Sequence, residues 1–288
     1  MINRAVRFSK HHTPDPVRVV ARRALLEAHN VRLRTTVPVV SRSVYDNIYH
    51  CTVRKTASQW MKALFSDPVV YRFSGLLPYD PRPYKWHFPQ AVPPGRIALS
   101  LFISRKRFDA LVKPQRHRAI FVLRDPRDIV VSSYFSTRNS HTPMGDVLAV
   151  RKVLHDKPVK EGMLYLVGHL AEKGTFRHLR DWATATPTEA VRLFRYEDLT
   201  GEHQRDEVHA MLRHCGIDLP PAELTALLSR YSFSRMRSDA PAAESSHYRK
   251  GRPGDWRHHF DDDIQEAFTA AAGDLVEILG YASPSRDP

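Results

Sequence analysis

Cysteine is nearly absent: Cys51 and Cys215 are the only two in 288 residues, too few for a disulfide framework or a cysteine-rich zinc site. Long apolar runs are missing too. A stretch such as IALSLFI (97–103) has the length of a strand, far short of the ~20 residues that span a bilayer. The opening residues, MINRAVRFSKHHTPDP, hold no continuous apolar segment of the kind a secretory signal needs. There is no internal repeat and no low-complexity tract. These absences lead us to expect a soluble protein of a reducing compartment, the cytoplasm. Acidic residues are short as well: 31 Asp and Glu face 44 Lys and Arg, for a net charge of +13. A surface of that sign attracts phosphates, sulfates, nucleic acid or anionic lipid, and the charge alone does not choose among them.

What remains is ordinary globular material. Hydrophobic residues at 42% and charged residues at 26% exclude a disordered or fibrous chain. At this length a core forms without disulfide staples. The first 45 residues stand apart, with nine basic residues and two acidic ones, a local net of +7. We therefore divide the chain into a basic N-terminal extension (1–45) and an α/β domain (46–288). The spacing over Val17 to Arg34 predicts a basic amphipathic helix with Val20, Ala24 and Ala28 along one side. Such a helix suits weak contact with an acidic partner or a membrane surface. The plainer reading is a solvated extension packed on the domain.

From residue 47 onward, strand-like and helix-like segments alternate. NIYHCTV (47–53), RIALSLFIS (96–104), AIFVLR (119–124) and AVRLFRYED (190–198) read as strands. Helices are expected over 57–65, after Ser104, after Asp125-Pro126, over 161–183 as one long element, and over 205–215 up to Gly216. Short apolar strands separated by helices give a central parallel β-sheet with helices on both faces, an α/β fold. Ligands of such sheets bind at the carboxyl ends of the strands.

Three segments there suit an anion. In Thr52–Trp60 a strand ends, the chain turns, and a helix begins with Lys55, Thr56 and Ser58 at its mouth. Free N–H groups, the helix dipole, hydroxyls and an ammonium make a phosphate cradle. It looks like half of a Walker A loop, but the glycines of G-x-x-x-x-G-K-[ST] are missing, which disfavours an ordinary ATPase. In the second segment, Arg124 ends a strand and Ser132 lies two turns into the next helix, so both reach one phosphate. Arg127 beside them reads as a surface charge, as does Asp128. The third segment, Tyr248–Trp256, brackets three cations with two glycines, as a clamp or as a plain charged loop.

Taken in order, K-[ST]-x-[ST]-x-W, R-[ND]-P-[KR]-D-x-x-x-S and RKGRPGDW resemble the sulfotransferases that use 3′-phosphoadenosine 5′-phosphosulfate (PAPS), over roughly residues 47–260. The resemblance implies a P-loop-like sulfotransferase architecture and transfer of a sulfuryl group from PAPS to a hydroxyl or amine, releasing adenosine 3′,5′-bisphosphate (PAP). It implies that Lys55, Thr56, Ala57, Ser58 and Gln59 hold the 5′-phosphosulfate and that Trp60 packs on the adenine. Arg124 and Ser132 would take the 3′-phosphate, with Arg249, Lys250 and Gly251 closing over it. Tyr196 and Phe233 resemble the aromatic residues beside the adenine; read alone, both are ordinary core residues. Lys55 is the expected stabiliser of the leaving oxygen, and Ser132 would restrain it until the acceptor binds. The chemistry requires no metal, and the 16 histidines show no ligand spacing.

The sequence departs from the family at the base. Where cytosolic members carry Lys-x-His, this chain has Ser100-Leu101-Phe102, and the segment 69–88 has no Glu. His87 and then Asp80 are the candidate bases, and the helix after Arg124 ends near His141; an acceptor as acidic as a phenol would need little help. A small-molecule or carbohydrate acceptor is expected, and no nucleic acid. The dimer signature after the third motif loses its apolar centre to Asp261 and Asp262, so that dimer is not expected. Two other readings compete: a nucleotide-dependent phosphoryl-transfer enzyme, and a non-catalytic binder of nucleic acid or anionic surfaces.

Overall fold

A computed structural model describes residues 15–81, 91–140, 146–238 and 253–281. Helix α1 (Asp15–Thr36) precedes strand β1 (Asn47–Thr52), then α2 (Ser58–Phe65), α3 (Pro68–Arg72), β2 (Leu77–Tyr79) and β3 (Arg96–Leu101). Next come α4 (Arg105–Asp109), β4 (His117–Leu123), α5 (Pro126–Asn139), α6 (Val147–Asp156), α7 (Val159–Glu172) and α8 (Thr175–Ala183). The chain continues through β5 (Val191–Arg195), α9 (Tyr196–Thr200), α10 (Gln204–His214), α11 (Pro221–Arg230) and α12 (Phe233–Ser238). A 3-10 turn (Asp255–His258), α13 (Asp262–Ala272) and α14 (Leu275–Ile278) follow.

The described strands form one sheet in the order β2-β3-β1-β4-β5, every pair parallel. Parallel neighbours need crossovers, and the helices supply them. Side chains alternate across the sheet. Tyr49, Cys51, Ala119 and Phe121 join the core made with α5, α7, α8 and α13, while Ile48, Ile120 and Val122 join the core made with α2, α10 and α11. Both faces are therefore covered, which explains why the strands read as continuous apolar runs. Trp182 anchors the first face: its ring stacks on Phe121 with centroids 4.6 Å apart, and its indole N–H donates to the Ile103 carbonyl at 2.9 Å.

The sheet order positions the site. From β1 the chain moves to one side through β2 and β3, then crosses to β4 on the other side. A crevice opens at such a reversal, outside the carboxyl ends of the two strands that flank it. The turn after β1 carries Lys55, and the end of β4 carries Arg124.

Two helices differ from expectation. The 161–183 segment is two helices, because Gly174 turns left-handed (φ 74°) between α7 and α8. Helix α1 turns a different face inward. Leu26, Asn30 and Leu33 are buried, Leu33 against Tyr71 and Leu77, with the Asn30 amide donating to the Pro78 carbonyl at 3.2 Å. Val20 is 67% exposed, and Ala24 and Ala28 also face outward. Leucines bury more area than alanines, so they set the docking face.

Candidate active site

The turn after β1 is shaped without glycine. Lys55 (φ 72°) and Ala57 (φ 59°) both adopt the left-handed conformation, which costs an L side chain about 1–2 kcal/mol each. The double reversal turns the Thr56 hydroxyl inward: it donates to the Val53 carbonyl at 2.9 Å and lies in close contact with the Thr52 hydroxyl. What Thr56 offers a ligand is therefore its backbone N–H. Ala57 caps α2 with no side-chain hydrogen bond, so the first N–H groups, from Ser58 and Gln59 onward, are left for an anion. Lys55 is half-buried; desolvation, then the charges of Arg124 and Arg54, lower its ammonium to about 8.

Arg124 closes the other side. Its guanidinium donates to the Lys55 carbonyl at 3.0 Å, lies 4.4 Å over the Tyr196 ring, and has a nitrogen 3.7 Å from Asp128 Oδ2. Its buried Nε has no hydrogen-bond partner among the described residues. A buried donor left open beside uncapped helix N–H groups is an arrangement that an anion completes. Asp125 begins α5 as expected, with its side chain accepting from the Arg127 N–H and Pro126 in the first turn.

Arg127 and Asp128 are not surface charges; each is only 1% exposed. The Arg127 fork pairs with both Asp125 oxygens, at 3.0 and 2.8 Å, and lies 3.7 Å over the Trp256 ring. Asp128 accepts the N–H groups of Gly254 (2.7 Å) and Trp256 (2.9 Å). The end of the third motif is thus fastened beside Arg124 by a carboxylate whose pKa burial pushes up. Helical spacing puts Asp128 and Ser132 on one side of α5, and Ile129, Ser133 and Thr137 on the next. Glu197 supports the same corner, accepting from the Asp125 N–H at 3.0 Å and the Tyr281 hydroxyl at 2.7 Å.

Trp60 is tied to the segment that leads into α12, where Phe233 lies. The Trp60 indole donates to the Tyr231 carbonyl at 3.0 Å, and Phe233, 38% exposed, opens α12 two residues later. Tyr196 is buried under Arg124. Asp80 follows β2, an edge strand among those described, and is ion-paired with Lys62 at 3.4 Å. At Ser100-Leu101-Phe102 the structure offers no titratable group: Leu101 is buried, and Ser100 turns left-handed (φ 57°) at a bulge. The Ser100 N–H donates to the buried, neutral His50, which burial holds at about 3. His87, His141, Arg249, Lys250 and Gly251 lie outside the described residues.

Sequence reasoning also missed a cleft, open to solvent, on the α5 side of Lys55. Arg54, Lys55, Ser133, Thr137 and His169 line it, with Ile129, Val147, Val150, Leu166 and Leu170 as apolar wall. Its sides come from one loop and four helices, α5 to α8, and no short motif spans them.

The sulfotransferase domain family matches residues 99–280, more than half of the chain. The chain belongs to that family. The matched stretch holds Arg124, Ser132, Tyr196 and the third motif, while the Lys55 turn precedes it. Two relatives from Cavia porcellus are a 3-beta-hydroxysteroid sulfotransferase, 27% identical over 195 residues (63% of this chain and 58% of that one), and a 3-alpha-hydroxysteroid sulfotransferase, 28% identical over 202 residues (66% and 61%). The chain thus spans about three fifths of the length of these relatives. Among solved structures, the mouse sulfotransferase SULT7A1 complexed with PAP superposes with a TM-score of 0.58 at 18% identity, over 84% of this chain and 90% of that one. A retinol dehydratase in complex with androsterone and PAP gives 0.51 at 14% identity, over 83% and 82%. The fold is therefore that of the P-loop-like sulfotransferases. Among the described residues no helix is long and apolar enough to cross a membrane, and no group of His, Cys, Asp and Glu could hold a metal ion.

Proposed function

We propose that the chain transfers a sulfuryl group from PAPS to a hydroxyl or amine of a small-molecule acceptor, releasing PAP, in the cytoplasm. The observation that carries this reading is the join between the Lys55 turn and Arg124 at the sheet's switch point. One 3.0 Å hydrogen bond sets a lysine, open helix N–H groups and an open arginine donor around one space. In this reading Arg124 and Ser132 hold the 3′-phosphate, with Arg249, Lys250 and Gly251 over it. Thr56, Ala57, Ser58 and Gln59 present N–H groups to the phosphosulfate, and Trp60, Tyr196 and Phe233 border the adenine. Lys55 faces the bridging oxygen, where negative charge grows as the sulfur–oxygen bond breaks. Its ammonium stays protonated at neutral pH and is poorly solvated, which strengthens its attraction to that charge. The apolar wall of the neighbouring cleft suits an acceptor with a hydrophobic body, and the two buried thiols, Cys51 and Cys215, suit a reducing compartment.

Calorimetric titration with PAP, using ATP and ADP as controls, tests the reading. One-site binding of PAP that ATP and ADP do not match is the expected result. No binding of PAP at moderate salt overturns it.

A further inference from the structure

The reaction needs a group to take the acceptor's proton, and the position that matches the relatives' histidine is Phe102 here, a side chain that cannot accept one. Asp80, the described candidate from sequence, is engaged by Lys62. The cleft that begins at Lys55 holds another group. His169 lies on α7, in the same wall as Leu166 and Leu170, and lines the cleft together with Lys55 and Asp146. Its ring stacks on Tyr165, one turn earlier, with centroids 5.9 Å apart and planes at 19°. Its Nε2 lies 3.7 Å from Asp146 Oδ2, at the start of α6.

The geometry points to His169 as the general base of the transfer, with Asp146 as the charge that holds the resulting imidazolium. This rests on the sulfuryl-transfer reading above. As the acceptor oxygen bonds to sulfur, its proton passes to the imidazole. The bond from sulfur to the bridging oxygen breaks, and its electron pair leaves with PAP. An acceptor seated in the cleft stands between the two groups that this step needs: Lys55 toward the leaving oxygen, and His169 toward the attacking one.

The surroundings suit the task. Burial lowers the imidazole below its ordinary value of 6.5, so the ring is neutral and able to accept a proton at pH 7. Asp146 and Glu172 raise it, while Lys173 and Arg54 lower it further. Asp146 is itself held ionised by Lys173, 2.6 Å away. The α5 residues that share the cleft, Ser133 and Thr137, are uncharged. Once protonated, His169 has a fixed carboxylate 3.7 Å away.

Two acceptors of similar shape separate a base from a packing residue. Near pH 8, phenol is protonated and needs a base, whereas 4-nitrophenol is largely ionised and does not. His169→Gln keeps a polar planar side chain and should retain PAP binding by calorimetry. It should slow transfer to phenol about a hundredfold or more while changing transfer to 4-nitrophenol only a few-fold. In the parent protein, transfer to phenol should fall as pH drops through the histidine's titration below 6.5. Asp146→Asn should move that limb to lower pH, because it removes the charge that raises the imidazole. Equal losses with both acceptors, no loss with either, or PAP binding without PAPS turnover in the parent protein overturns the assignment. Failure of the parent protein to bind PAP overturns instead the reading on which it rests.

Discussion

The Arg124 guanidinium donates to the Lys55 carbonyl across 3.0 Å, so the end of β4 holds the turn after β1 in place. The same side chain keeps an open donor for a ligand. One residue thus shapes the cradle and forms part of its wall. Arg124→Ala removes both roles, and a charge-assisted hydrogen bond contributes about 1.5–3 kcal/mol. PAP affinity should fall about ten- to a hundredfold by calorimetry. Arg124→Lys should recover only part of it, because an ammonium cannot reproduce the planar fork. Unchanged affinity in Arg124→Ala would remove Arg124 from the site.

Lys55 makes the affinity pH-dependent. Its free ammonium titrates at about 8, and a bound anion favours the charged form and raises that value. Binding should therefore take up a fraction of a proton around pH 8, and affinity should weaken as pH rises above 8. Calorimetry in two buffers of different ionisation enthalpy measures that uptake directly. In Lys55→Met the uptake should vanish, and the transfer rate should fall far more than PAP affinity. Uptake of the same size in the variant would show that another group titrates.

Much of this arrangement was legible in the sequence. Four of the five described strands announced themselves because a parallel sheet covered on both faces needs uninterrupted apolar segments, whereas β2, only three residues long, did not; the Asp125-Pro126 start of α5 is written locally. Arg127 and Asp128 were not legible as buried. Their partners, Trp256 and Gly254, lie more than 120 residues away, and nothing near residue 128 reveals that two N–H groups will need a carboxylate. The inward face of α1 misled for a related reason: helical spacing marks candidate stripes, and the larger Leu33 won the contact with β2 and α3, with Leu26 buried on the same helix. The His169 cleft was invisible because four helices and a loop meet only in the fold.

Asp128 accepts two backbone N–H groups from the Gly254–Trp256 segment, and removing it strands both in a buried place. Asp128→Ala should destabilise the protein by about 2–4 kcal/mol, since each unsatisfied buried donor costs about 1–3. Asp128→Asn keeps one acceptor oxygen and should lose less. Denaturant unfolding measures the difference. PAP affinity should fall in both variants, because Arg124 loses its neighbouring carboxylate and the fastening of the third motif loosens. A stable Asp128→Ala with parent-like affinity would mean that the segment is held by other contacts.

Ala57 occupies the left-handed conformation at the N-cap of α2, a place where glycine is the better residue on two counts. Glycine has no Cβ to clash at φ 59°, and it is a preferred N-cap where alanine is not. Against that, glycine adds about 0.4–1 kcal/mol of unfolded-state entropy, while the relieved strain amounts to about 1–2. Relief wins. Ala57→Gly should stabilise the chain by up to about 1 kcal/mol, or roughly 2–4 °C in melting temperature at this size. Because the turn presents N–H groups rather than the alanine methyl, PAP binding should persist. A melting temperature that falls would mean that the Ala57 side chain packs against the core through α2 strongly enough to outweigh its strained backbone.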